Sequence, residues 1–312
     1  MSNTFSTYVI SLNSPNNLLK TLSNHKLQPI LFKGINGNTL DQNIINTHCN
    51  SFYSLFGPKS SIGCALSHLN VWKQFLNTNS KYAIIFEDDI IFNNNHFVQN
   101  NITLKDIIKF YIDQTPKNFD ILYLGSFGTE SNINFFTIMM NLLNNTSQNE
   151  KINKFIRKSS VILSAHSYIL SRSGAKKLIQ YLDHNIHNHI DLCIQTLCSK
   201  NLIKRYIVTP RIIYQTSTNN TPSSNVSNSH PIIINNILSN YYLDTNVKAS
   251  YITTLSVFRL GNHNFTISTI ILLILIIIAL IFNIHIFHIL LFLILISLPE
   301  ISHFINSKLI YN

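Results

Sequence analysis

Acidic residues are scarce in this chain. Only 13 Asp and Glu occur among 312 residues, against 23 Lys and Arg, for a net charge of +10. The basic residues are scattered, with no arginine-rich helix, no zinc-finger spacing and no RNA-binding signature, so nucleic acid is not an expected partner. A diffuse positive field suits anionic membrane surfaces or phosphorylated ligands equally. Cysteine is sparse too: Cys49, Cys64, Cys193 and Cys198 include no C-x-x-C pair. That excludes the common structural zinc patterns, and the four read as free, mostly buried thiols in a reducing compartment. No GxxxxGK[ST] loop is present, which sets aside a P-loop ATPase. No internal repeat is evident. The start, "MSNTFSTYVISLN", lacks a basic stretch followed by a long apolar core, so no secretory signal is expected.

Against that scarcity, "KYAIIFEDDIIF" (Lys81–Phe92) sets Glu87, Asp88 and Asp89 side by side. At this acid frequency a random triplet is expected about 0.02 times per chain. The "YAIIF" run reads as a fully buried strand. Three carboxylates at its end repel one another and resist desolvation unless something positive sits there, and a divalent metal is the obvious candidate. The alternative is a solvated exit from the strand.

The surrounding pattern alternates. "STYVISL" reads as a strand, "LLKTLSNH" as a helix and "LQPILFK" as a second strand, a βαβ opening that implies a parallel sheet. Ile62, Ala65, Leu66, Leu69, Trp72, Phe75 and Leu76 follow a helical period and lead into the carboxylate strand. "NFDILYLGSF" is another buried strand. "SSVILSAHSYILSRSGAKKLIQYL" is strand, turn and helix, with Ser171 or Ser173 as N-cap. "IKRYIVTPRIIYQ" closes the strand set. Residues 131–158 read as a variable insertion or lid. The expected organisation is therefore an α/β domain over residues 1–230, a linker over 231–266, and a short polar tail over 299–312. In such sheets ligands gather at the carboxyl ends of the strands, where the acid triplet lies.

Residues 267–298, "ISTIILLILIIIALIFNIHIFHILLFLILISL", contain no Asp, Glu, Lys or Arg. A bilayer core needs about 20 apolar residues as a helix. The block is expected to be a transmembrane anchor, either one tilted span or a hairpin turning at Asn283, with the preceding domain in the cytosol.

Several stretches, in order, resemble glycosyltransferase family 25: "YVISL", "FKGINGNTL", "GPKSSIGCALSHLNVW", "IIFEDDIIF", "FDILYLG", "AHSYILSRSGAKKLI", "HID" and "TPRIIYQ". That family includes bacterial lipooligosaccharide and animal collagen galactosyltransferases. The resemblance implies a GT-A fold, a UDP-sugar donor, most often UDP-galactose, a glycan or lipid-linked acceptor, and inversion at the anomeric carbon. It implies Mn²⁺ or Mg²⁺ held by Asp89 with Glu87, and donor contacts from Ser11, Asn36, Ser67, His68, Glu87, Asp88 and Gln215. His166 and Tyr168 would line the acceptor side. Asp191, in "HID", is the first candidate for general base, with Glu130 and Asp120 as competitors. Each has a plainer reading: Asp191 as a helix N-cap, His68 as a satisfied buried histidine, Tyr168 as packing. Gly63 and Gly174 read as close-packing positions.

The chain departs from the family in places. Asn13 and Lys20 stand where arginines are usual, and Asn36 and Asn225 where aspartates are. A catalytically silent, membrane-anchored scaffold is the alternative these departures support.

Overall fold

The computed structural model describes residues 4–93, 102–126, 150–158, 162–215, 242–244, 247–248, 255–261, 263–281 and 288. The chain divides into two units, at residues 1–217 and 218–312.

The first unit opens as the sequence predicts: β1 (Phe5–Ser11), α1 (Asn16–Asn24) and β2 (Pro29–Lys33), with β1 and β2 parallel. Two short helices, α2 (Gln42–His48) and α3 (Ser51–Phe56), precede the long α4 (Lys59–Leu76). Then come β3 (Tyr82–Glu87), β4 (Ile90–Phe92), α5 (Leu104–Gln114), β5 (Ile121–Tyr123), β6 (Glu150–Lys151), β7 (Ile156–Lys158) and β8 (Ser167–Ser171). The unit ends with α6 (Arg172–Leu182), α7 (Ile190–Ser199), β9 (Arg205–Val208) and β10 (Ile213–Gln215).

Eight strands form one sheet in the order β2-β1-β3-β8-β5-β9-β7-β6. The expected parallel sheet is in fact mixed: β8 runs antiparallel to both β3 and β5, and β7 antiparallel to β9. Direction depends on which distant strands meet, which local periodicity does not encode. Residues 150–158, expected to belong to an irregular insertion, supply the edge strands β6 and β7.

Alternation along β1 divides the core. Tyr8 and Ile10 pack with α4, α6 and α7 residues such as Ile62, Trp72, Leu178 and Ile194. Val9 packs on the opposite face with Leu22 of α1 and Leu104, Ile108 and Tyr111 of α5. The result is a sheet with helices on both faces, the layering of α/β proteins. Helix starts are capped from sequence: Thr103 and Asp106 form a capping box on α5, and Ser171 accepts from the Gly174 N–H on α6. Gly63 lets α4 press on the turn after β2, since a Cβ there would sit 2.5 Å from the Ile35 carbonyl.

The second unit contains two antiparallel pairs, β11 (Tyr242–Asp244) with β12 (Val247–Lys248) and β13 (Ser256–Leu260) with β14 (His263–Thr266). These lie in the stretch expected to be a linker. Helix α8 (Ile267–Ile281) follows, with Ile274, Ile277, Leu280 and Ile281 exposed. Among the described residues no helix is long and apolar enough to cross a membrane. At 1.5 Å per residue α8 is about 22 Å long, short of a bilayer core of about 30 Å. Apart from His288, the rest of the predicted apolar block lies outside the described residues.

Candidate functional site

Strand β3 ends at Glu87, and Asp88 and Asp89 form the turn into β4. The acid triplet is therefore a strand tip plus a turn, and its three carboxylates take three different partners.

Glu87 faces α4. Its Oε1 lies 3.0 Å from His68 Nε2, and His68 Nδ1 lies 2.8 Å from the Tyr168 hydroxyl. Trp72 Nε1 donates to that same hydroxyl at 2.8 Å. An indole N–H can only donate. Tyr168 therefore accepts from Trp72, and its hydroxyl also meets His68 Nδ1, so one chain of hydrogen bonds runs from Trp72 through Tyr168 and His68 to Glu87. Burial pushes the Glu87 carboxyl up, but the His68 hydrogen bond, then the charges of His68 and His166, outweigh it and hold the group below the ordinary carboxylate range. His68 and Tyr168 are fully buried. Among their two readings, the satisfied histidine and the packed tyrosine are the ones the geometry shows, and both act on the site through Glu87.

Asp88 is exposed and accepts from the Ser11 hydroxyl at the end of β1, whose oxygen in turn accepts from the Asn13 N–H at 3.0 Å. Asp89 accepts from Gln215 Nε2 at 2.8 Å. That contact follows from the pairing of β4 with β10, which sets Gln215 opposite Ile90. Ser11 and Gln215 thus position two of the acids.

Asp191 is the second residue of α7. The cap position belongs to His189, which makes no side-chain cap bond, so the N-cap reading of Asp191 is corrected. Its Oδ1 accepts from the Leu192 N–H at 2.8 Å and its Oδ2 from the Ser164 N–H at 3.2 Å. Ser164 has a φ of 96°, a conformation that a non-glycine residue holds only when its surroundings impose it. The same serine's hydroxyl contacts His166 Nδ1, so the loop before β8 joins Asp191 to the His166 ring. Burial lowers the His166 pKa to about 4, partly resisted by Glu87.

Cys64 Sγ lies 4.0 Å from Glu87 Oε1. Burial, then the charges of Glu87, Asp191 and Asp89 in that order, push its thiol well above the usual value. Cys64, His68 and Trp72 are spaced four apart along α4, one face of a helix aimed at the β3 tip. That stripe was legible in "CALSHLNVW", although only His68 was singled out. Arg211, buried and donating to the Ser126 carbonyl, also escaped notice.

Other expected site residues serve structure. Ser67 accepts from the Ile35 N–H at 2.8 Å and donates to the Gly63 carbonyl at 2.7 Å, which ties α4 to the turn after β2. Asn36 caps its own turn, accepting from the Asn38 N–H at 3.0 Å. Asp120 is buried, bound to Lys177 at 2.6 Å, to Ser173 at 3.0 Å and to the Lys204 N–H at 2.9 Å, which removes it as a base. Gly174 packs against the Asp120 backbone as expected of a close-packing glycine. Glu130 and Asn225 lie outside the described residues.

Two sets of donors could hold a cation. The carboxylate oxygens of Glu87 and Asp89 suit a hard ion such as Mn²⁺ or Mg²⁺. Cys64, His68 and Glu87, whose ligand atoms lie within 4.8 Å of one another, suit a softer one. His68 Nε2 is already engaged with Glu87 at 3.0 Å, which favours the carboxylate set.

A family profile described as "Glycosyltransferase family 25 (LPS biosynthesis protein)" matches residues 5–194, well over half of the chain. No curated protein matches significantly. A solved structure titled "Crystal Structure of A197 from STIV" is similar at 10% identity and a TM-score of 0.34, covering 74% of this chain and 100% of that one.

Proposed function

The chain belongs to glycosyltransferase family 25, and we propose that it transfers a hexose, galactose by preference, from a UDP-sugar to a glycan or lipid-linked acceptor, with inversion and with a divalent metal. The observation that carries this reading is the placing of Glu87 and Asp89 together at the tip of β3, each hydrogen-bonded by a side chain from another element. Asp89 and Glu87 would hold Mn²⁺ or Mg²⁺, which when bound supplies charge neutralisation for a departing diphosphate. Gln215 and His68 fix those two carboxylates in place. Asp191, oriented by two backbone N–H groups, takes the proton of the acceptor hydroxyl as that oxygen bonds the anomeric carbon and the bond to the diphosphate breaks. The domain would be of the GT-A type. The apolar block from residue 267 would hold the chain at a membrane, near lipid-linked acceptors, with the transferase domain in the cytosol.

The test is UDP release with a panel of nucleotide sugars, with and without Mn²⁺. Turnover should appear with a UDP-hexose, require the metal and vanish in Asp89→Ala. A preference for GDP- or CMP-sugars refutes the donor class. The silent-scaffold alternative draws on Asn36, whose amide is committed to its own turn; absence of turnover with every donor would favour it.

A further inference from the structure

At the opposite end of β1 from the acid triplet lies a cavity of about 280 Å³, lined by Thr4, Ser6, Gln28 and three lysines, Lys26, Lys105 and Lys109. Phe5, Leu27 and Ile30 supply an apolar wall. The lysines come from two elements: Lys26 from the turn after α1, and Lys105 and Lys109 from one face of α5. Among the described residues none of the three is in an ion pair. Asp106, exposed on α5, feels the charges of Lys26 and Lys109 after its stronger bond to Thr103, so one acid stands against three ammonium groups.

Backbone conformation adds an independent sign. Helix α1 ends with the Lys26 N–H on the Ser23 carbonyl and the Leu27 N–H on the Leu22 carbonyl, the paired bonds of a Schellman motif. The residue after the cap in that motif takes a left-handed conformation and is usually glycine. Here it is Lys26, with a φ of 60°. The fold thus tolerates strain that glycine would relieve, and gains an ammonium group at the cavity.

We propose that this cavity binds a phosphate group carried on a small organic body. Lysine ammonium groups recognise phosphate as point charges, the Thr4 hydroxyl and the Gln28 amide offer further donors, and the volume is near the lower bound of small-molecule sites. The site is separate from the acid triplet and does not rest on the transferase reading.

The experiment is calorimetric titration of the full chain with inorganic phosphate, with glucose 1-phosphate, and with vesicles of phosphatidic acid set against phosphatidylcholine alone. Binding of a soluble phosphate assigns a free ligand; binding of phosphatidic acid vesicles alone assigns a lipid headgroup. Either should weaken roughly tenfold in Lys26→Gly and in Lys109→Gln, as loss of a charge-assisted bond implies. Lys26→Gly is the decisive variant, because it should keep or raise the melting temperature while losing affinity. Absence of binding in every arm, or affinity unchanged in both variants, overturns the proposal.

Discussion

Asp120 is fully buried and Glu87 half-buried, two acids of the same unit that are held in different ways. Asp120 meets the Lys177 ammonium at 2.6 Å, the Ser173 hydroxyl and the Lys204 N–H, so its charge is cancelled within the fold. Glu87 meets the His68 imidazole at 3.0 Å, and that ring is itself hydrogen-bonded to a tyrosine behind it. Lys177 sets an ammonium against a carboxylate that is wholly buried, whereas Glu87 is held by an imidazole ring and keeps part of its surface open. One arrangement belongs to a structural acid. The other belongs to an acid kept available, with Asp89 two residues on.

Exchanging the roles of the two acids gives the sharpest test. Glu87→Gln and Asp89→Ala should each lower turnover on a UDP-sugar a hundredfold or more, about 3–4 kcal/mol of transition-state stabilisation. Unfolding curves of both should shift little. Asp120→Asn should do the reverse, costing about 3 kcal/mol in denaturant unfolding, the low end for a broken buried pair because Lys177 is partly in solvent. Turnover comparable to wild type in Glu87→Gln would erase the contrast.

Acid should strain the Glu87 side first. His166 stays neutral in the fold down to a pKa of about 4, below its unfolded value of about 6.5. The unfolded chain therefore binds a proton that the folded chain refuses, and stability falls as pH drops from about 6.5 to 4, by about 2–3 kcal/mol. Thermal melts across that window in wild type and in His166→Asn should converge toward the acid end. The smallest effect belongs to Tyr168→Phe, which strands the Trp72 N–H and costs about 1–2 kcal/mol. Turnover should drop modestly, because the His68 ring loses its orienting bond.

Much of the first unit was legible in the sequence. The runs around Tyr8, Ile84 and Ile169 are long and apolar enough to declare buried strands, and the period from Ile62 to Leu76 declares α4. The antiparallel course of β8 was not legible, since its partners come from residues far away in sequence. Within the site, the triplet announced itself by rarity, but the unequal partners of its members follow from a turn that strand alternation does not describe. Ser67 misled because a helical serine next to a histidine looks alike whether it meets a ligand or a carbonyl. Ser164 gave no signal, because its role lies in a backbone angle.

The chain has one tryptophan. Its ring nitrogen can give a proton away and take none back, and it closes the sealed end of a row of three polar groups. What the row supplies is a fixed position: Glu87, its outermost member, receives as any carboxylate does, but from a place that three buried side chains hold still.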